Sequence, residues 1–425
     1  MNSVTAQKNP ADVRHLLEQR FRDEPLWLAA RRRELAEAYV EHPLPPRQRT
    51  PLKNRKLEQI PIFDAPASAA PLTWRDAGDE AHLRLVDGVE ESRHLPATLT
   101  EQGVLLLSLA EAIRIAPQLV EQYLGSVIDE RSDKFQALNG AFWQNGLFLY
   151  VPPRTEVTLP IAVTHAATAG LAGFFPRTLI IADRQSRVVV SERYLSAPGE
   201  RSLVSAATEI IALDGASVQY GSIQQLAPSA ETFSRRAGRV GRDARIDWNI
   251  GEFGGGLLVA EHQTILDQPG GQTSSLTVFF GGHHQHQDYT AESRHVAPHT
   301  GSNMVARGVM KDHARSVFTG VTDIKPGAVG TDGRQKEQTL MLSPHARADA
   351  IPSLLIEERD VYAAHSASAG PADRSAIFYL MGRGIPETEA IRLIVHGFLA
   401  PVIDSIPLQS LRDEVWEAVE RKIRG

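Results

Sequence analysis

Short runs of apolar and β-branched residues, each closed by a turn signal, fill the middle of this chain. From about Phe142 the runs LFLYV, EVTLPIAV, TLIIAD, RVVVSERY, TEIIAL, SVQYGSI, RIDWNI, TILD and SLTVFF follow one another. Val151-Pro152-Pro153, Leu213-Asp214-Gly215, Gln268-Pro269-Gly270-Gly271 and Thr331-Asp332-Gly333 punctuate them. No long helical pattern interrupts the series between about 150 and 375, which argues against parallel βαβ winding. A sandwich, a barrel or a β-solenoid remains. The spacing shows no clean short repeat that chooses among them.

Both ends read as helical. In ADVRHLLEQRF, Val13, Leu16, Leu17 and Phe21 fall at helical spacing behind Pro10. A second helix starts at Pro25 and runs to about Glu41, where HPLPP stops it. Its Arg31-Arg32-Arg33 run reads as a solvated face. Residues 42–80 are rich in proline, alanine and charge and read as a linker or loosely packed arm. VLLLSL then reads as a buried strand and AEAIRIAPQLVEQYLG as a helix. Near the other end, IPETEAIRLIVHGFLAPVI begins a helix at Pro386, with Ile391, Ile394, Val395 and Phe398 on one side. Ser410 is placed to cap SLRDEVWEAVERKI, in which Leu411, Val415, Val419 and Ile423 form a stripe at four-residue spacing. That stripe suits packing against the protein's own core. Trp416 beside it suits a partner contact. The expected division is an N-terminal helical and mixed region at 1–141, a β core at 142–377 and a helical region at 378–425.

Composition narrows the chemistry. A chain of 425 residues can bury a large core over two or three domains. The net charge of −6 is modest, and no basic stripe interleaved with aromatics argues for nucleic acid. MNSVTAQKNPADVRH has no apolar leader pattern, and no apolar run reaches the ~18 residues of a membrane span. The reading is a soluble, cytoplasmic protein. The chain has no cysteine, which removes disulfides, a thiol nucleophile and any thiolate metal ligand. Toward a metal it can offer nitrogen or oxygen ligands but no sulfur.

Histidines are therefore the candidate ligands. GGHHQHQDYTAESRHVAPHT holds His283, His284, His286, His295 and His299. On a strand, His284, His286 and Asp288 would share one face, opposite His283, Gln285 and Gln287. Such a face can hold a transition metal, but a ladder of polar side chains explains the pattern as well. His365 stands alone in Asp360–Gly370, DVYAAHSASAG, among small residues that let another group approach closely. A lone histidine is more often a packing residue than a ligand. If it ligates a metal, its second ring nitrogen needs a partner, and sequence proximity offers Glu358 and Asp360. Gly254-Gly255-Gly256 lacks the residues of a nucleotide loop and reads as a turn. Arg315 and Arg383 read as structural ion-pair formers. No HExxH, GxSxG or EF-hand pattern occurs.

The stretch DVYAAHSASAG resembles a signature of the SufB/SufD family of iron–sulfur cluster assembly scaffolds, usually DVxCSHGATxG. Here Ala363 stands at the cysteine position and His365 keeps the histidine, as in the SufD branch. KFQALNGAFWQNGLFLYVP, APHTGS, ARSVFTG, LMLSPHARADAIPSL and FYLMGRGI are similar to further family motifs and occur in the family's order. Near Pro45–Leu57 the family's acidic, aromatic segment is replaced by basic PPRQRTPLKNRKL. The resemblance implies a right-handed parallel β-helix core capped by helices. It implies a non-catalytic subunit for cluster assembly and iron acquisition, paired with a SufB-type scaffold and a SufC-type ABC ATPase. A homodimer is an open alternative for the isolated chain. His365 would face the partner scaffold and share a transient cluster or metal there, with no cofactor held stably by this chain alone. Leu411, Val415, Trp416 and Val419 would dock the ATPase. The resemblance also implies a fold-bearing role for His295 and His299. The rival readings are a β-solenoid polysaccharide lyase or hydrolase, and a stand-alone metal-binding protein built on the histidine run.

Overall fold

A computed structural model describes residues 4–5, 17–18, 21, 24–57, 60–63, 81–168 and 172–424. The first expected helix lies largely outside these residues, although Leu17 is buried. The protein is mainly β, a parallel β-helix of about eight turns with helices toward both ends. Each turn gives one strand to each of two long sheets, so strands that neighbour in space alternate along the chain. The strands at Arg187–Ser196, Ser217–Gln225, Arg245–Glu252, Gln272–Gly281, Gly301–Met310, Asp332–Met341 and Tyr362–Pro371 stack in parallel in one sheet. The other carries Ser202–Ala212, Ala230–Val240, Leu257–Leu266, His286–His295, Arg315–Ile324 and Arg347–Ile356.

Stacked turns bring equivalent residues into columns. Val190, Tyr220, Trp248, Ser275, Met304, Gln335 and His365 form one such column by register. The interior is apolar at the N-terminal side, where Val188, Val190, Ile210, Val218, Ile246 and Trp248 are buried together. Turn length is not constant: Glu231 pairs with Leu257 but Arg315 with Arg347, so one circuit takes between 26 and 32 residues. That variation is why no fixed period is visible in the sequence.

Several local expectations are met. The helix at Leu26–Glu41 begins after Pro25, and Leu105–Ser108 is a strand. The segment AEAIRIAPQLVEQYLG splits at Pro117 into Leu109–Ile115 and Pro117–Tyr123, because proline cannot donate into the preceding turn. Strands His82–Val86 and Val89–His94 extend the first sheet, so the β structure reaches back before residue 142.

Two expectations at the N-terminal side are corrected. Arg32 is not on a solvated face. It is buried, ion-paired to Glu24 at 2.7 Å, and donates to the carbonyls of Ala141 and Trp143. Of the arm expected at 42–80, residues 58–59 and 64–80 lie outside the described residues, and the basic segment is packed, not loose. Leu52 and Leu57 are buried, while Arg49 reaches Asp349 at 2.6 Å and Arg55 lies 3.8 Å from Glu231. Its arginines bind carboxylates spread over several turns, so it straps the outer face of the second sheet.

The C-terminal helices cover the first sheet. Helix Glu387–Ile403 buries Ala390, Val395, Leu399, Val402 and Ile403, whereas the expected Ile391, Ile394 and Phe398 are only half-buried. The last helix, Gln409–Arg424, starts ahead of Ser410, which therefore lies inside it rather than capping it. Leu411, Val415 and Val419 join Ile223, Phe253, Phe280 and Val309 in one apolar cluster. Arg193 clamps the helix by donating from Nε to Glu414 at 2.8 Å.

Candidate functional site

The column containing His365 runs out at an uncovered end. Arg347–Ile356 and Tyr362–Pro371 are the terminal strands of their sheets, each with one backbone edge unpaired among the described residues. On Asp332–Met341, Gly333, Gln335, Glu337 and Thr339 are buried while Arg334 and Lys336 are exposed. Register carries that alternation to the last strand, so Ala363, His365, Ala367 and Ala369 stand over the inward positions. His365 is exposed because no further turn covers it. Sequence reading placed it among small residues. The fold adds that it sits at the mouth of the β-helix interior.

The mouth is a small cleft lined by Met304, Phe318, Gln335, Glu337, Pro352 and His365. Gln335 stacks directly beneath His365 and donates from its amide to the Ser353 carbonyl at 3.1 Å. His365 has no hydrogen-bond partner among the described residues. Glu358 and Asp360 do not supply one: Glu358 accepts from the Gly327 amide at 2.9 Å, and the Asp360 carbonyl accepts from Gly330 at 2.7 Å. Both belong to the turn before the strand. The imidazole is thus free on both nitrogens for a ligand or for a group from another chain.

Glu337 is the site residue that sequence reading missed. It lies one turn below the last strand, two positions along from the His365 column. Burial pushes its carboxyl up to about 7, partly opposed by the Thr339 hydroxyl, which donates to it at 3.2 Å. An imidazole and a carboxyl that exchanges its proton near neutral pH therefore share one cleft. The available signal was the alternation of DGRQKEQTLM, but it needed the register of the next strand.

This carboxyl makes a pH-dependent cost. Between its unfolded value of 4.5 and about 7 the folded chain holds a proton that the unfolded chain has lost. Stability therefore falls as pH rises through that window, with the penalty complete above it. Glu337→Gln should stabilise the isolated chain by ~1–3 kcal/mol at pH 8 and do little at pH 4.5. Urea unfolding at several pH values checks this. A gap independent of pH would show that Glu337 is not the titrating group.

The histidine run does not form one centre. His284 lies in the turn before the strand, not on the face of His286 and Asp288. Its exposed ring stacks on His313, which stacks on His345, with centroids 5.0 and 4.8 Å apart. His286 is buried at the strap, with Nε2 2.8 Å from Thr50 Oγ1, and Thr50 also donates to Asp288. Burial and Arg315 push His286 down to about 4. His295 is held between the hydroxyls of Thr300 and Ser302, at 2.8 and 2.9 Å. His299 occupies a turn at φ 57°. Among the described residues no three of His, Asp or Glu are grouped to hold a metal ion. Arg315 pairs with Asp349 at 3.1 Å as expected, but Arg383 bonds the Tyr379 hydroxyl and makes no ion pair among the described residues.

The docking stripe is placed differently from a free surface. Leu411, Val415 and Val419 face the sheet and are buried. Trp416 is half-buried, stacks on His396 with centroids 4.4 Å apart, and donates from Nε1 to Asp404. Around the open end, Tyr362, Phe378, Tyr379 and Met381 are exposed, and the helix Arg374–Met381 has no buried residue.

The fold and its open end define a class: a two-sheet parallel β-helix with a helical flank and a lone histidine at its uncovered last turn. Comparison with known proteins gives that class its family. The SUF system FeS cluster assembly SufBD core domain matches residues 163–398, and the SufBD protein N-terminal region matches residues 80–163. The chain is 33% identical to the iron–sulfur cluster assembly protein SufD of Bacillus subtilis, over 94% of this chain and 95% of that protein. SufBD family proteins of Staphylococcus saprophyticus and Staphylococcus epidermidis are each 27% identical, covering 92% of this chain and 88% of theirs. The chain belongs to the SufBD family and is a subunit of SUF iron–sulfur cluster assembly. No helix among the described residues is long and apolar enough to cross a membrane.

Proposed function

We propose that this chain is a SufD-like, non-catalytic scaffold subunit that pairs its open end with a SufB-type homologue in the cytoplasm. The carrying observation is His365, exposed and unpartnered over the mouth of the β-helix between two unpaired strand edges. Strands of ten residues with free backbone groups need cover, and a partner with the same strand spacing matches them. Exposed Tyr362, Leu355 and Ile356 supply apolar surface to such a contact.

In this arrangement iron and sulfide are cargo at the interface. His365 offers a nitrogen ligand, and Glu337 gives or takes a proton nearby. Thiolates come from the partner, because this chain has none. An ABC-type ATPase of the SufC kind docks on the helical flank through the outer face carrying Leu393, His396 and Trp416. The Leu411, Val415 and Val419 stripe supports that face from beneath.

Co-expression with a SufB-type scaffold and a SufC-type ATPase, followed by purification through a tag on this chain, tests the reading. The expected result is one complex that carries iron and sulfide after anaerobic reconstitution, while this chain alone keeps none. A stoichiometric cluster on the isolated chain, or no co-purification of the scaffold, would overturn it.

A further inference from the structure

A second cleft, away from the open end, lies where the last turn of helix Gln409–Arg424 passes over turns of the β-helix. Its volume is about 830 Å³, within the range of small-molecule sites. Arg55, Lys311, Arg421 and Lys422 line it, and no carboxylate does so among the described residues. Two acidic groups near the cleft are partly engaged elsewhere. Asp312 accepts from the His283 amide at 2.7 Å, and Glu231 lies 3.8 Å from Arg55. Leu226, Pro228 and Phe253 form an apolar wall beside the cations. Gly254 keeps the wall close, since a Cβ there would sit 2.2 Å from the Leu226 backbone.

The geometry points to a binding site for a phosphorylated small molecule of about nucleotide size. Beyond the Arg55–Glu231 pair, Lys311, Arg421 and Lys422 stand on one cleft and repel each other unless an anion joins them, and phosphate oxygens accept bonds from both guanidinium and ammonium groups. The apolar wall suits a planar, uncharged body attached to the phosphate. Lys422 illustrates the unmet demand. Among the described residues its ammonium donates to the Gln285 side-chain oxygen alone, and burial together with Lys311, partly opposed by Asp312, pushes it down to about 8. The glycine triplet is a turn in the wall; Lys311 comes from an adjacent turn, Arg421 and Lys422 from the helix and Arg55 from the N-terminal strap.

Calorimetry on the full-length chain with ADP, inorganic pyrophosphate and adenosine tests this. Saturable binding of ADP and pyrophosphate is expected, with none of adenosine at the same concentrations. Lys422→Gln keeps an amide against Gln285, and Lys311→Gln changes a half-exposed turn, so both should fold. Each should weaken ADP by roughly tenfold, as expected for a lost charge-assisted bond. At pH 8 the wild type should take up protons as ADP binds, read as a heat that changes with the buffer's ionisation enthalpy. Absence of saturable binding of either anion at millimolar concentration, or an ADP affinity unchanged in both variants, would overturn the assignment.

Discussion

Removing helix Gln409–Arg424 is expected to strip the cover from the first sheet and leave the chain prone to aggregation. Leu411, Val415 and Val419 are buried against Ile223, Phe253, Phe280 and Val309, so truncation would expose both sides of that contact to water. The fit is close: a Cβ added at Gly221 would lie 2.4 Å from Leu411 Cδ2. A milder version isolates the effect. Leu411→Ala should cost ~2–5 kcal/mol, the transfer term plus the cavity that remains. Trp416→Ala, at a half-buried position, should cost less and instead weaken ATPase capture. Chemical denaturation and pull-down on the same preparations separate the two roles. If Leu411→Ala leaves stability unchanged while ATPase capture is lost, the stripe is a docking surface after all.

His365→Ala should lower the iron–sulfur content of the reconstituted complex by roughly tenfold or more, the scale on which groups around a metal act. Folding stability should change by no more than ~0.5 kcal/mol, because the side chain is exposed and unpartnered. Complex formation should persist, since strand edges and apolar residues dominate that contact. Two other histidines act as controls. His284→Ala removes one exposed ring from a stack and should leave cluster content intact. His286→Ala removes the bond to Thr50 at the strap and should cost ~1 kcal/mol of stability without affecting cluster content. Iron and sulfide analysis and melting curves on all three variants decide the matter. Normal clusters with His365→Ala, alongside failure of either control variant, would mean the wrong histidine carries the cargo site.

Much of the fold was readable from short-range pattern. Alternating apolar runs such as RVVVSERY and SVQYGSI announce strands, and Pro25 and Pro386 mark helix starts where the fold has them. The strand Ala230–Val240, AETFSRRAGRV, escaped notice because its buried positions include Thr232, Ser234 and Arg236. Its charge has a partner only in the fold: Arg236 meets Glu252 at 2.9 Å in the interior. Arg32 misled for the same reason, since its compensation by Glu24, Ala141 and Trp143 comes mostly from residues far along the chain.

Cysteine content and the motif around His365 are properties of the chain itself, so the limits on ligand chemistry and the family resemblance needed no coordinates. Strand propensity likewise acts over a few residues and survives without context. Stacking register is different, because each turn pairs with one 26 to 32 residues away and the offset varies with turn length. That register brings Glu337 beside the His365 column, while packing of the last helix on the sheet buries the Leu411 stripe and gathers Lys311 and Lys422 on one cleft. Burial and proximity then set the protonation of these groups, and both are properties of packing between distant segments.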